Sequence, residues 1–125
     1  MADLVVAFEP TKPGSLGHGG RVWKWTAVTV GAICGPVAIQ GAKDVTIFGE
    51  GSWTGGTTLV LNASPQIDKD PRDDGTVYVP CNDLADTLIA IGEDGHSTVA
   101  QLGEYYQPVT ATGTGVIDIY LLARY

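Results

Sequence analysis

The chain has 125 residues, a formal net charge of −7 and a sequence pI near 4.4. That length supplies one domain with a sizeable core and excludes two independent ones. Hydrophobic residues at 44% and charged residues at 17% describe a folding chain whose surface rests on Gly, Thr, Ser, Asn and Gln. The acidic balance excludes a nucleic-acid binder, which needs a basic face to displace phosphate counterions.

From the N-terminus, "MADLVVAFEP" carries no basic n-region and no cleavage pattern behind a long apolar run, so no secretory signal is expected and folding in a reducing cytosol is the default. A strand is expected near 4–8. The stretch "TKPGSLGHGG", with His18 in it, is too rich in glycine for a regular element. Residues 1–20 therefore read as a flexible arm or loop that orders against a neighbour. A strand follows at 22–30, "RVWKWTAVTV", with Trp23 and Trp25 on one side. Two Trp at that spacing call for a large core, a sugar platform or a partner surface. The longest apolar stretch, 27–42, is interrupted by Gly31, Gly35, Pro36 and Gln40 and is too short to span a bilayer, so no membrane association is expected.

Strands are expected at 36–40 and 43–49, the second alternating Val45 and Ile47 inward against Asp44, Thr46 and Phe48 outward. "GEGSWTGGTT", 49–58, has the glycine spacing of a phosphate loop. However, Thr57 stands where that loop requires Lys, and the β-branched run "TTLVLNA" follows where a helix is required. The glycines read instead as a hairpin joining 43–49 to a strand at 57–63, whose Leu59 and Leu61 point inward. Trp53 is expected at the hairpin tip, lifted from the sheet, as a hot-spot residue for a partner.

The loop "SPQIDKDPRDDG", 64–75, offers carboxylates, but the fifth position of a calcium loop begun at Asp68 is Arg72, and an exposed loop stiffened by Pro65 and Pro71 is the better reading. A strand near 76–80 precedes 82–91, which fits either a helix capped by Asn82 or Asp83, or a turn at 83–86 entering a strand at 86–91. Eight of the 14 acids, Asp68, Asp70, Asp73, Asp74, Asp83, Asp86, Glu93 and Asp94, fall between 68 and 94, making one flank strongly negative.

Strands at 96–101, 104–110 and 116–123 complete the chain. In the first, His96 and Ser97 fall on opposite faces, so they do not pair as base and nucleophile. Tyr105 and Tyr106 open the second. In the last, Ile117, Ile119, Leu121 and Ala123 share the core face. Cys34 and Cys81, with no CxxC and no paired His spacing, read as small buried apolar residues.

Short β-branched runs alternating with Gly, Pro, Asp and Asn over residues 1–125 describe one all-β domain, an antiparallel β-sandwich or barrel. No residue is assigned to catalysis, a cofactor or a metal, and an enzyme is not expected. The candidate partner-contact residues are Trp53, Trp23, Trp25, Tyr105 and Tyr106.

Together "DVTIFGEGSWTGGTTLVLNAS" and "TATGTGVIDIYLLARY", with "YQPVTATGTG" leading into the last strand, resemble small capsid decoration or cement proteins of tailed bacteriophages. The chain departs from that pattern in its long 64–75 loop and in Gln107, where Arg is common. The resemblance implies a jelly-roll-like β-sandwich and a homo-oligomer, dimer or trimer. It also implies a structural virion protein that binds the major capsid protein on the capsid exterior and cements the shell. The alternatives are a carbohydrate-binding module on a virion surface, using Trp53 or the Trp23/Trp25 pair as platform, and a neck or tail accessory protein.

Overall fold

The computed structural model describes residues 4–15, 17, 19–66, 68–100 and 103–125; His18 and residue 101 of the expected strand at 96–101 lie outside them. Among the described residues there is no helix, and nine strands form two antiparallel sheets. In chain order they are β1 (Gly14–Ser15), β2 (Gly20–Thr29), β3 (Val37–Ala38), β4 (Asp44–Ser52), β5 (Thr58–Ser64), β6 (Val79–Pro80), β7 (Gly95–Thr98), β8 (Tyr105–Ala111) and β9 (Val116–Arg124). One sheet has the order β1-β2-β9-β4-β7 and the other β3-β8-β5-β6. The two pack face to face as a β-sandwich.

Alternation builds the core as the strand patterns require. Val45 and Ile47 of β4, Leu59 and Leu61 of β5, and Ile117, Ile119, Leu121 and Ala123 of β9 are all buried. In β2 the register with β9 slips between Trp25 and Val28, where Ala27 takes a positive φ of 52° and donates its N–H to Asp118 at 2.8 Å. This bulge inserts one extra residue, so Trp25 and Val28 both face inward although three positions apart.

The expected hairpin at 43–63 is not formed. β4 pairs with β9 and β7, whereas β5 pairs with β8 and β6, so the glycine-rich segment between β4 and β5 passes from one sheet to the other. Both strands carry apolar residues on alternate positions, a pattern that fits two facing sheets as well as one hairpin. The β8–β9 connection crosses between sheets in the same way, and the two crossings are bound together. The Thr57 hydroxyl, 1% exposed, donates to the Thr54 carbonyl at 2.8 Å and accepts the Gly115 N–H at 2.8 Å. Thr114 N–H donates to Thr54 at 2.9 Å, and the Thr112 hydroxyl to Gly56 at 2.6 Å. A Cβ at Gly115 would collide with the Ser52 carbonyl oxygen, which fixes glycine there.

Other expected elements also differ. Residues 4–8 form no strand but join the sandwich through a bridge from Phe8 to Cys34, and 86–91 contributes only bridges from Leu88 and Ile91. The alternative helix at 82–91 is replaced by a turn at 83–86, in which Asp83 Oδ1 accepts the N–H groups of Ala85 and Thr87. The described part of the N-terminal arm lies along its own domain. Ala7 and Thr11 donate to the carbonyls of Ile33 and Lys24, β1 pairs with β2, and Glu9 meets Arg72 at 2.5 Å. Phe8 supplies the reason, since its ring packs against the core.

Replacing Thr57 by Val keeps the shape and β-branching but leaves the buried Gly115 N–H without an acceptor. The expected loss is about 1–3 kcal/mol in urea unfolding at an unchanged m-value, with Thr57→Ser close to the parent. A Val variant as stable as the parent contradicts the role given to this hydroxyl.

Candidate functional site

The five expected contact residues divide by depth. Trp25 is fully buried, with its indole N–H donating to the Gly35 carbonyl at 3.2 Å, and Trp23 and Tyr106 also lie in the core. They face the opposite sheet and present no ring to solvent, so the expected Trp23/Trp25 platform is an interior feature. Tyr106 accepts the Gly103 N–H on its phenol oxygen at 2.7 Å, and burial raises its pKa. Tyr105, its neighbour on the other face of β8, is half-buried.

Trp53 is not lifted from the sheet. It is half-buried and folds back over Gly49, the next inward position of β4 after Ile47, where a Cβ would meet the indole at 2.8 Å and Leu59 at 2.9 Å. The ring thus fills the volume a side chain at 49 would take. Its N–H donates to Asp94 Oδ1 at 2.8 Å, and the same oxygen accepts the Gly51 N–H at 2.9 Å. The indole donor, followed by the Gly51 amide, holds the Asp94 carboxyl below the usual aspartate range. Trp53 therefore ties the β4–β5 crossing to the segment before β7.

The exposed aromatic surface lies on the outer face of the five-stranded sheet. Lys24, Tyr120, Phe48 and His96 stand in direct cross-strand register on β2, β9, β4 and β7. The Lys24 ammonium sits 5.0 Å from the Tyr120 ring centre, and Phe48 stacks on His96 with centroids 4.8 Å apart and planes at 25°. The Tyr120 hydroxyl donates to Glu50 at 2.9 Å. Alternation placed Phe48 and Tyr120 outward, but only the register shows that their strands, distant in sequence, align them in one row.

Beside this row runs an open groove of about 640 Å³. Its floor is Thr46, Phe48, Thr98 and Leu122, one wall is Lys43 with the Asp44–Arg124 pair, and the other is Leu84 with Val99 and Ala100. Arg124 Nε and Nη2 both donate to the Asp44 carboxylate, at 2.9 and 2.6 Å, and hold it below its ordinary pKa.

The acidic flank is built from turns. Asp70, Asp73 and Asp83 each accept backbone N–H groups two residues ahead, at 2.9, 2.8 and 2.9 Å. Among the described residues no group of three or more His, Cys, Asp or Glu is placed to hold a metal ion. Four of the seven large apolar residues exposed among the described residues, Val77, Val79, Leu84 and Leu88, also fall here, and nothing in the alternation around them marks them as outward. The 77–88 segment folds back on itself through bonds from Ile89 N–H to Cys81 and from Asp83 N–H to Thr87. Cys34 and Cys81 are free and buried, and burial pushes their thiols up to about 12 and about 11. Neither is a thiolate at neutral pH. Gln107, a departure from the resembling pattern, is interior, with its amide donating to the Cys34 carbonyl at 3.1 Å.

Because the folded-state pKa of Asp94 is depressed, its contribution to stability is present above the usual aspartate range and is lost as pH falls through the lower, folded value. Native tryptophan fluorescence is expected to titrate below the usual aspartate range, and Asp94→Asn is expected to remove that step. An identical acid titration in the Asn variant contradicts the pairing.

No family model, no curated protein and no solved structure matches this chain.

Proposed function

We propose that this chain is a structural virion protein that binds the outer surface of a tailed-phage capsid and reinforces the shell. The observation that carries the reading is the exposed apolar edge of the 77–88 segment. Val77, Val79 and Leu88 are each more than half exposed, on an acidic flank whose carboxylates cap the turns that display them. Apolar side chains held outward by a stiff, hydrogen-bonded segment suit contact with another protein. Pro80, on the edge strand β6, lacks the N–H that would template a further strand, so a partner meets this edge through side chains.

The strand order supports the jelly-roll expectation. Every connection after β2, apart from β5 to β6, crosses between the sheets, as in a double-sheet jelly roll. The two segments that carry the resemblance are those whose crossings bind each other through Thr57, so the likeness lies in the part of the sequence that sets the fold. The 64–75 loop, where the chain departs from the resembling pattern, leads into the proposed contact edge. Many copies, each touching more than one shell subunit, add weak contacts into a large stabilisation.

The test is the copy number of this polypeptide in purified particles of the phage that encodes it, together with retention of added protein on shells that lack it. Hundreds of copies per particle are expected, and Val79→Asp with Leu88→Asp is expected to lower retention about 10-fold or more with the fold intact. A polypeptide missing from particles, or unchanged retention of the double variant, overturns the proposal. A few copies per particle assign it to the neck or tail instead. Glycan-array binding lost on Tyr120→Ala, without any affinity for shells, favours the carbohydrate alternative through the outer aromatic row.

A further inference from the structure

The groove on the outer face and the turn that walls it carry opposite halves of one contact. Leu84 is the most exposed apolar side chain of the 77–88 segment, at 74%, and it projects from the turn at 83–86 between two acids, Asp83 and Asp86. Neither acid forms an ion pair among the described residues. Asp83 caps the turn, and Asp86 accepts the Asn82 side-chain amide at 2.9 Å. Across the groove the rim is basic. Lys43 is exposed and forms no ion pair among the described residues, and Arg124 stands beside it, held against Asp44. Between them the floor offers Phe48 and Leu122, both half-exposed, and the methyl-bearing side chains of Thr46 and Thr98, whose hydroxyls pair with each other at 3.1 Å.

We propose that this face joins two copies of the chain across a two-fold axis, each Leu84 seated on the partner's Phe48 and Leu122 floor with its flanking acids against the partner's Lys43 and Arg124. An apolar knob with an acidic collar and an apolar floor with a basic rim lie side by side on one surface. A two-fold axis between such neighbours satisfies both at once, which is the self-complementarity an isologous interface requires. A head-to-tail contact would need knob and floor on different faces of the molecule. Charge complementarity also selects the second copy over an unrelated partner, since the acids and the basic rim are each left without an opposite charge of their own at Asp83, Asp86 and Lys43. Burial of Leu84 on an aromatic floor supplies the affinity, and the charges fix the register.

The inference does not rest on the capsid reading, because it concerns the isolated protein. It leaves Val77, Val79 and Leu88 on the same segment for a shell. Sedimentation of the purified chain over a concentration series tests it. The parent is expected to be a dimer at about 100 µM or below, weakened by added salt as the charge pairs are screened. Leu84→Asp places an acid over Phe48 and is expected to raise the dimer dissociation constant about 30-fold or more; Lys43→Glu is expected to weaken it in the same direction. Both positions are exposed, so unchanged circular dichroism is expected for each variant. A covalent check uses Leu84→Cys mixed with Leu122→Cys. Cys34 and Cys81 are buried, so a disulfide-linked pair formed under mild oxidation reports the knob on the partner's floor. A monomeric parent overturns the proposal. So does an oligomer of any size that neither Leu84→Asp nor Lys43→Glu weakens and in which the two cysteine variants do not cross-link.

Discussion

One buried hydroxyl holds two of the sheet crossings of this fold together. Thr57 sits where the chain passes between the sheets from β4 to β5, and through its oxygen it also binds Gly115, where the chain makes its last crossing, from β8 to β9. β4 and β9 are hydrogen-bonded neighbours in one sheet, and β5 and β8 in the other, so fixing this pair of crossings fixes the stacking of the central strands. Gly51 and Gly55 bring backbone against Val116 and Gly113, Gly49 makes room for the Trp53 ring, and Gly56 takes a positive φ, which is why a stretch that mimics a phosphate loop contains so many glycines. Trp53 extends the same construction by covering Gly49 and reaching Asp94 ahead of β7.

The inward and outward positions of the long strands were legible in the sequence because alternation is a local property. Val45, Ile47, Leu59, Leu61 and the four inward residues of β9 lie where their period places them. The partnership of strands was not legible. A run such as 43–63, with two apolar strands around a polar apex, is written the same way whether the strands pair or face one another across a core. Only contacts distant in sequence, such as Thr57 to Gly115, decide between them. The Trp pair shows a related ambiguity. Spacing put Trp23 and Trp25 on one side, but which side depends on the sheet that covers them, and that sheet is built from β3, β5, β6 and β8. The exposed side chains of 77–88 escaped detection because their outward orientation comes from turns set by Asp73 and Asp83, not from a period.

The surface that emerges differs in kind from the one expected. Three of the aromatic residues expected to meet a partner, Trp23, Trp25 and Tyr106, lie in the interior, while one face open to solvent is a row of Lys24, Tyr120, Phe48 and His96 assembled from four strands, with a groove beside it and an acidic, apolar segment at its rim. Several chemistry-bearing side chains among the described residues are likewise tied into the architecture. The thiols are buried and protonated, His96 is stacked, and carboxylates cap turns or pair with Arg72, Lys24 and Arg124. Such a molecule is equipped to present surfaces held rigidly by its two sheets.

The claim on which this account stands is that the crossings bound through Thr57 belong to the most stable part of the molecule, although they are loops and lie outside every strand. Native-state amide hydrogen exchange tests it directly. The Gly115 and Thr114 N–H groups are expected to exchange only by global unfolding, with the same opening free energy as the amides of Ile119 and Leu121 in β9. Exchange of Gly115 at the rate of a surface loop, with β9 still protected, would show that the sandwich holds together without the clasp.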